Sequence, residues 1–175
     1  PEEITALRAH ANERQTYKER HMWANPQDRR ITRRDYRDLH FQGVLGEAVL
    51  AKILGVPFDE GLYLKGRPFD FEINGITIEV KTQQGYLLFN AVDELISDLV
   101  VLCVAATTDP QEVSIQGYIP RTEFIKHHFV DDFGYGPRLC VQPVSLYAID
   151  TLKPFCFQLQ NMRMMYRQMT QEGNP

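Results

Sequence analysis

Asp70, Glu79 and Lys81 fall within one short segment, Phe69-Asp-Phe-Glu-Ile-Asn-Gly-Ile-Thr-Ile-Glu-Val-Lys81, and together these residue types can hydrolyse a phosphodiester. Asn74-Gly75 separates two runs in which apolar and polar residues alternate, the strongest local signal for a two-residue type I′ hairpin. Such a turn sets the register: Ile73 faces Ile76, Glu72 faces Thr77, Phe71 faces Ile78 and Asp70 faces Glu79. Directly opposed residues share a face with Cβ atoms about 5 Å apart, so two carboxylates are expected side by side, with Lys81 on the same face. Phe69, Phe71, Ile73, Ile76, Ile78 and Val80 form the opposite, core-directed face. Opposed like charges destabilise a hairpin unless something compensates them. A divalent cation does so most simply: Mg2+ takes carboxylate oxygens at about 2.0–2.1 Å and keeps several waters for chemistry. Lys81 then carries an ammonium within reach of a metal-bound water or a phosphate oxygen. The bland alternative is a solvated polar face on which an Asp, a Glu and a Lys happen to coincide; the register argues against it.

The elements expected to hold this hairpin follow from periodicity and turn residues. Residues 2–21 are polar and helix-prone, with Ile4, Leu7 and Tyr17 giving a weak apolar stripe. Asn25-Pro26 marks a break, and a second helix runs from Thr32 or Asp35 to about Leu54, with Gly55 at its C-cap. Beyond Pro57, short β-branched and aromatic runs predict strands at 62–64, 69–73, 76–82, 86–89, 99–106 and 113–119. The run 99–106 is apolar almost throughout, as a central strand covered on both faces requires. A short helix is expected over 121–129, a turn-rich loop over 131–137, an edge strand over 141–149 and a closing helix over 154–169. The fold class is therefore α/β: a central mixed β-sheet flanked by helices, with an extra N-terminal helical segment.

Composition narrows the options further. The chain has 175 residues, 43% hydrophobic and 24% charged, an ordinary globular mixture, and no apolar run long enough to span a bilayer or form a signal peptide. A soluble, intracellular, cytoplasmic protein with no membrane partner is expected. Cys103, Cys140 and Cys156 lie far apart in apolar surroundings and read as buried thiols. His10, His21, His40, His127 and His128 lack metal-ligand spacing and read as surface or DNA-proximal residues, and no nucleophile elbow or Gly-rich phosphate cradle is present. The stripe of Met162, Met164, Met165, Tyr166 and Met169 reads as core or dimer packing. Net charge is −4, yet Arg29, Arg30, Arg33, Arg34 and Arg37 cluster against the single acid Asp35. A basic block on an acidic body is how an enzyme grips a phosphate backbone while keeping carboxylates for metal; a solvated helix face paired to Asp28, Asp35 and Asp38 is the alternative.

Pro68-Phe69-Asp70, eight residues, then Glu79-Val80-Lys81 resembles the motif of the PD-(D/E)xK, restriction-endonuclease-like nuclease superfamily. Gly43-Val-Leu-Gly-Glu47-Ala resembles the helix on which such families carry a further acid. The likeness covers roughly residues 36–119, with a Phe interposed between Pro68 and Asp70. It implies a restriction-endonuclease-like core over 35–175, with 1–34 as a helical, basic extension. It further implies that Asp70, Glu79 and the carbonyl of Val80 hold Mg2+, for which Mn2+ can substitute, with Glu47 as an additional ligand. Lys81 would orient or deprotonate the attacking water, and Gln83 would hold water or phosphate. The expected activity is a Mg2+-dependent deoxyribonuclease, an endonuclease, with DNA as partner and a homodimer left open. The rival expectations are a module of the same fold that binds DNA without cutting it, and a metal-stabilised protein-interaction domain.

Overall fold

The computed structural model describes residues 2–21, 33–61, 69–83, 85–106, 111–134 and 136–172. The strand expected at 62–64, the break around Asn25-Pro26, and Trp23, Arg29, Arg30 and Pro68 lie outside them.

Four strands form a mixed sheet: β1 (Phe71–Ile73), β2 (Ile76–Thr82), β4 (Leu99–Ala105) and β5 (Val113–Pro120), in the spatial order β1-β2-β4-β5. β1–β2 and β4–β5 pair antiparallel, and β2–β4 pair parallel. The hairpin turn is the one the sequence predicts, with Asn74 at φ 54° and Gly75 at φ 74°, both in the left-handed region that a type I′ turn demands. Its register is also as expected: Ile73↔Ile76, Glu72↔Thr77 and Phe71↔Ile78. A second, three-stranded sheet is ordered β3-β7-β6, from Leu87–Phe89, Pro137–Val141 and Phe129–Asp132. The predicted loop at 131–137 is thus half strand, and the predicted edge strand at 141–149 is corrected. β7 ends at Val141, and the chain then makes short 3-10 turns that hydrogen-bond to the sheet where Tyr147 bridges Tyr118 and pack on it through Leu146 and Ile149.

Among the described residues the α-helices are α1 (Glu2–His21), α2 (Arg33–Leu54), α3 (Arg121–His127) and α4 (Leu152–Glu172). α2 ends as its composition predicts, with Val56 N–H donating to the Ala51 carbonyl (3.1 Å) and Gly55 N–H to that of Lys52 (3.3 Å). One face of the four-stranded sheet packs Ile76, Ile78, Leu99, Val101 and Cys103 against Leu50, Ala51 and Leu54 of α2 and Leu152 and Cys156 of α4. On the other face Val100, Leu102 and Ile119 meet Leu87 and Phe89 of β3, Val141 of β7 and Phe124 of α3. β4 is therefore covered on both sides, and its residues 99–103 are buried. The chain is α/β, a mixed sheet flanked by helices.

Two contacts seat the helices that matter for the site. α2 crosses β2 at Gly46, where an added Cβ would lie 2.3 Å from Thr82 Oγ1, so only glycine permits this approach. α1 docks on α2 through Ala11, Phe41, Val44 and Leu45, with Ile4 and Leu7 packed against them. The weak stripe on α1 was enough. Asp38 pairs with Arg8 of α1 (3.3 Å). His10, expected at the surface, lies half-buried with its ring edge on Phe58. All three thiols are free and buried. The Met162, Met164, Met165, Tyr166 and Met169 stripe is exposed on α4 and belongs to none of the core clusters of the described residues.

Candidate active site

Asp70 sits where the hairpin ladder stops. In an unbroken hairpin with Phe71 hydrogen-bonded to Ile78, the Val80 N–H would go to the carbonyl of Phe69. Instead it donates to Asp70 Oδ2 at 2.6 Å, while the Asp70 N–H donates to the Ile78 carbonyl at 2.9 Å. The expected ladder pair Asp70–Glu79 is therefore replaced: β1 begins at Phe71, and the Asp70 carboxylate itself takes the backbone donor beside Glu79. A carboxylate can do what a carbonyl does here because it offers up to four acceptor positions on two oxygens.

Glu47 on α2 and Glu79 on β2 both bring negative charge onto Asp70. Burial, then Glu47, and more weakly Glu79 push the Asp70 carboxyl up to about 7, against the opposing pull of the Val80 N–H and of Lys81. Glu47 on α2, Asp70 just before β1, and Glu79 and Lys81 on β2 thus come within electrostatic reach of one another at Asp70. Lys81 forms an ion pair with Glu79, and its Nζ also stands 5.4 Å from the centroid of the Phe89 ring. Asp70 also lines a cleft of about 550 Å³ together with Asp59 and Glu72.

The donors present are carboxylate oxygens, which suit a hard ion such as Mg2+ or Mn2+. They are not drawn together as ligands, and among the described residues no three His, Cys, Asp or Glu side chains are grouped closely enough to hold an ion. The reason is visible in their partners. Asp70 is held by Val80, Glu79 by Lys81, and Glu47 by Arg14, whose Nη1 lies 3.0 Å from Oε2 and 3.3 Å from Oε1.

The Gln83 side chain is engaged with the backbone of β3. Its side-chain oxygen accepts from the Leu88 N–H (2.8 Å) and its amide donates to the Leu88 carbonyl (3.1 Å), which ties the end of β2 to β3. Arg33, Arg34 and Arg37 lie on the N-terminal turns of α2, the helix that carries Glu47. Two participants escaped sequence reasoning. Arg14 is one of many charges on a polar helix, and only the docking of α1 singles it out. Asp98 is the other: it accepts from Thr77 N (2.9 Å), Thr77 Oγ1 (3.0 Å) and Arg163, and Arg163 also donates to the Gly75 carbonyl (3.0 Å). α4 is thereby fastened to the hairpin turn and, through Asp98 and Thr77, to β2. Comparison of the chain with protein-family models, with curated proteins and with solved structures finds no match in any of the three.

Proposed function

We propose that this chain is a metal-dependent nuclease with a PD-(D/E)xK, restriction-endonuclease-like core. The reading rests on one observation above all: Asp70 is fixed on the Val80 N–H with the charges of Glu47 and Glu79 upon it and Lys81 alongside. Like charges brought together in a partly buried place mark a site built for a ligand that neutralises them.

Asp70, Glu79 and the Val80 carbonyl are the residues that would hold Mg2+ or Mn2+, with Glu47 as a further oxygen donor. A bound divalent ion supplies a water of lowered pKa and neutralises charge on the phosphate. The Val80 N–H orients Asp70 before any ligand arrives, so the carboxylate does not have to be ordered at the moment of binding. Lys81 Nζ, now paired with Glu79, is the group that steadies the attacking water and the charge that builds on phosphorus. Phe89 beneath it confines the ammonium to the site's side of the sheet. Gln83 acts indirectly, by joining β2 to β3. DNA is the proposed substrate, with Arg33, Arg34 and Arg37 as its backbone grip. From Arg33 to Glu47 the α2 axis spans about 21 Å at 1.5 Å per residue.

Incubation with Mg2+ or Mn2+ on linear, circular, branched and single-stranded DNA tests the proposal. Cleavage that stops with chelator and disappears in Asp70→Ala and Glu79→Ala supports it. Metal and DNA binding without cleavage of any substrate would instead favour the non-cutting module, and full activity in either variant would remove the site.

A further inference from the structure

We infer that Arg14 is a phosphate-positioning residue that waits on Glu47: it neutralises this acid in the metal-free protein and turns to a substrate phosphate once a divalent ion takes the acid's oxygens. The inference rests on the proposed metal-dependent reaction and adds a residue to it. Arg14 reaches from α1 to both oxygens of Glu47 through one nitrogen, Nη1, leaving the rest of its donor fork uncommitted to that carboxylate. Their side chains are 22% and 17% exposed, enough for ligands to enter and too little for water to screen the pair fully.

A plain fastening role for Arg14 is poorly motivated, because α1 has other attachments. Ala11, Ile4 and Leu7 supply its apolar seam on α2, the Arg8 guanidinium stacks over Phe41 at 4.2 Å and pairs with Asp38, and Lys52 pairs with Glu3. Arg14 alone among these cations sits on an acid whose charge reaches Asp70. Glu47 cannot give the same oxygens fully to a guanidinium and to an ion, so the two bindings compete. When the ion wins, an always-charged, planar, multiply donating group is released beside the site, which is what recognition of a phosphate's paired oxygens requires.

The test titrates Mn2+ alone, by calorimetry, into the wild-type chain and into Arg14→Ala, Arg14→Gln and Arg14→Lys. It then measures the affinity of each for a short DNA duplex in Ca2+ at several salt concentrations. Arg14→Ala and Arg14→Gln should bind Mn2+ roughly two- to fivefold more tightly, the scale of a partly exposed ion pair. They should also bind DNA more weakly, with the slope of log affinity against log salt reduced by roughly one. Arg14→Lys, which keeps the charge, should restore wild-type Mn2+ affinity and most of the slope. If the variants bind Mn2+ as the wild type does or more weakly, the inference is overturned while the metal reading stands. Tighter Mn2+ with an unchanged DNA slope would overturn the transfer to phosphate. Should neither wild type nor variants bind Mn2+, the metal reading falls and takes this role with it. Arg14→Gln retains a shorter but polar, hydrogen-bonding side chain and Arg14→Lys a long cationic one, so the test survives a loss of folding in Arg14→Ala.

Discussion

Replacing Asp70 by Asn should stabilise the metal-free protein above neutral pH and flatten its stability–pH profile. The Asp70 carboxyl is held up to about 7, against 3.8 for an unperturbed one, by burial and by Glu47 and Glu79. A folded-state pKa raised in this way makes the native state the better proton holder. The resulting stabilisation is complete below pH 3.8 and drains away as pH rises to about 7. Each pH unit in that window is worth about 1.4 kcal/mol, so roughly 3 kcal/mol is lost between pH 5 and pH 7. Residual water at the carboxyl makes this an upper figure. In a chain of this size about 3 kcal/mol corresponds to roughly 6–12 °C in Tm. The asparagine amide keeps an oxygen for the Val80 N–H, so the variant removes the charge and spares the contact. The assay is thermal unfolding of both proteins in chelator from pH 5 to 8, with the Asp70→Asn profile subtracted to cancel the histidines and other common groups. The difference should grow with pH and level off just above 7, and millimolar Mg2+ should shrink it by supplying the missing positive charge. Parallel profiles, or an Asp70→Asn protein less stable than wild type at pH 8, would refute the reasoning.

Lys81→Ala should abolish turnover while leaving Mn2+ affinity within a few-fold of wild type, checked by single-turnover cleavage and calorimetry; loss of Mn2+ binding would make Lys81 structural. Arg33→Ala with Arg34→Ala should weaken DNA binding and lower the salt slope by roughly two, one per phosphate contact, without altering metal affinity, and an unchanged slope would return the block to a solvated helix face. Gly46→Ala should cost about 1–3 kcal/mol in urea unfolding, because its Cβ meets Thr82 Oγ1 at 2.3 Å, and Thr82→Ala in the same chain should recover most of it by removing the obstructing atom. Asp98 titrates in the opposite sense to Asp70. Partial burial opposes its ionisation, but Arg163 and Thr77 outweigh that and hold it below the usual carboxylate range, so its stabilisation is present at neutral pH and drains away as pH falls below the usual carboxylate range; Asp98→Asn should lower Tm at pH 7 and lower it progressively less as the pH is brought down.

The parts of this molecule legible in its sequence are those fixed by neighbours along the chain. Asn74-Gly75 dictated both the turn and the pairing of Ile73, Glu72 and Phe71, because a two-residue loop leaves no other register. The same logic failed one residue further on, at Asp70, where a side chain competed with the backbone for the Val80 N–H, a choice periodicity does not encode. β6 and β7 were hidden for another reason. Asp131, Asp132, Gly134, Gly136 and Pro137 have the composition of a loop, and β6 is exposed along its length, so no buried face alternates to announce it. Glu47 could be found because it interrupts an apolar helix face. Arg14 and Asp98 could not, since their importance comes from partners 33 residues away in one case and 65 in the other. The exposed methionines of α4 show the converse, an apolar stripe that satisfies the sequence rule for burial without being buried in this chain.

Anomalous diffraction from crystals soaked in Mn2+ tests most directly whether Asp70, Glu79 and Glu47 form a divalent-ion site. The expected map has a manganese peak bonded to Asp70, Glu79 and the Val80 carbonyl, with Lys81 turned away from Glu79 and Arg14 displaced from Glu47. A map in which these carboxylates keep the partners they have now, at Mn2+ concentrations that support cleavage, would contradict the account.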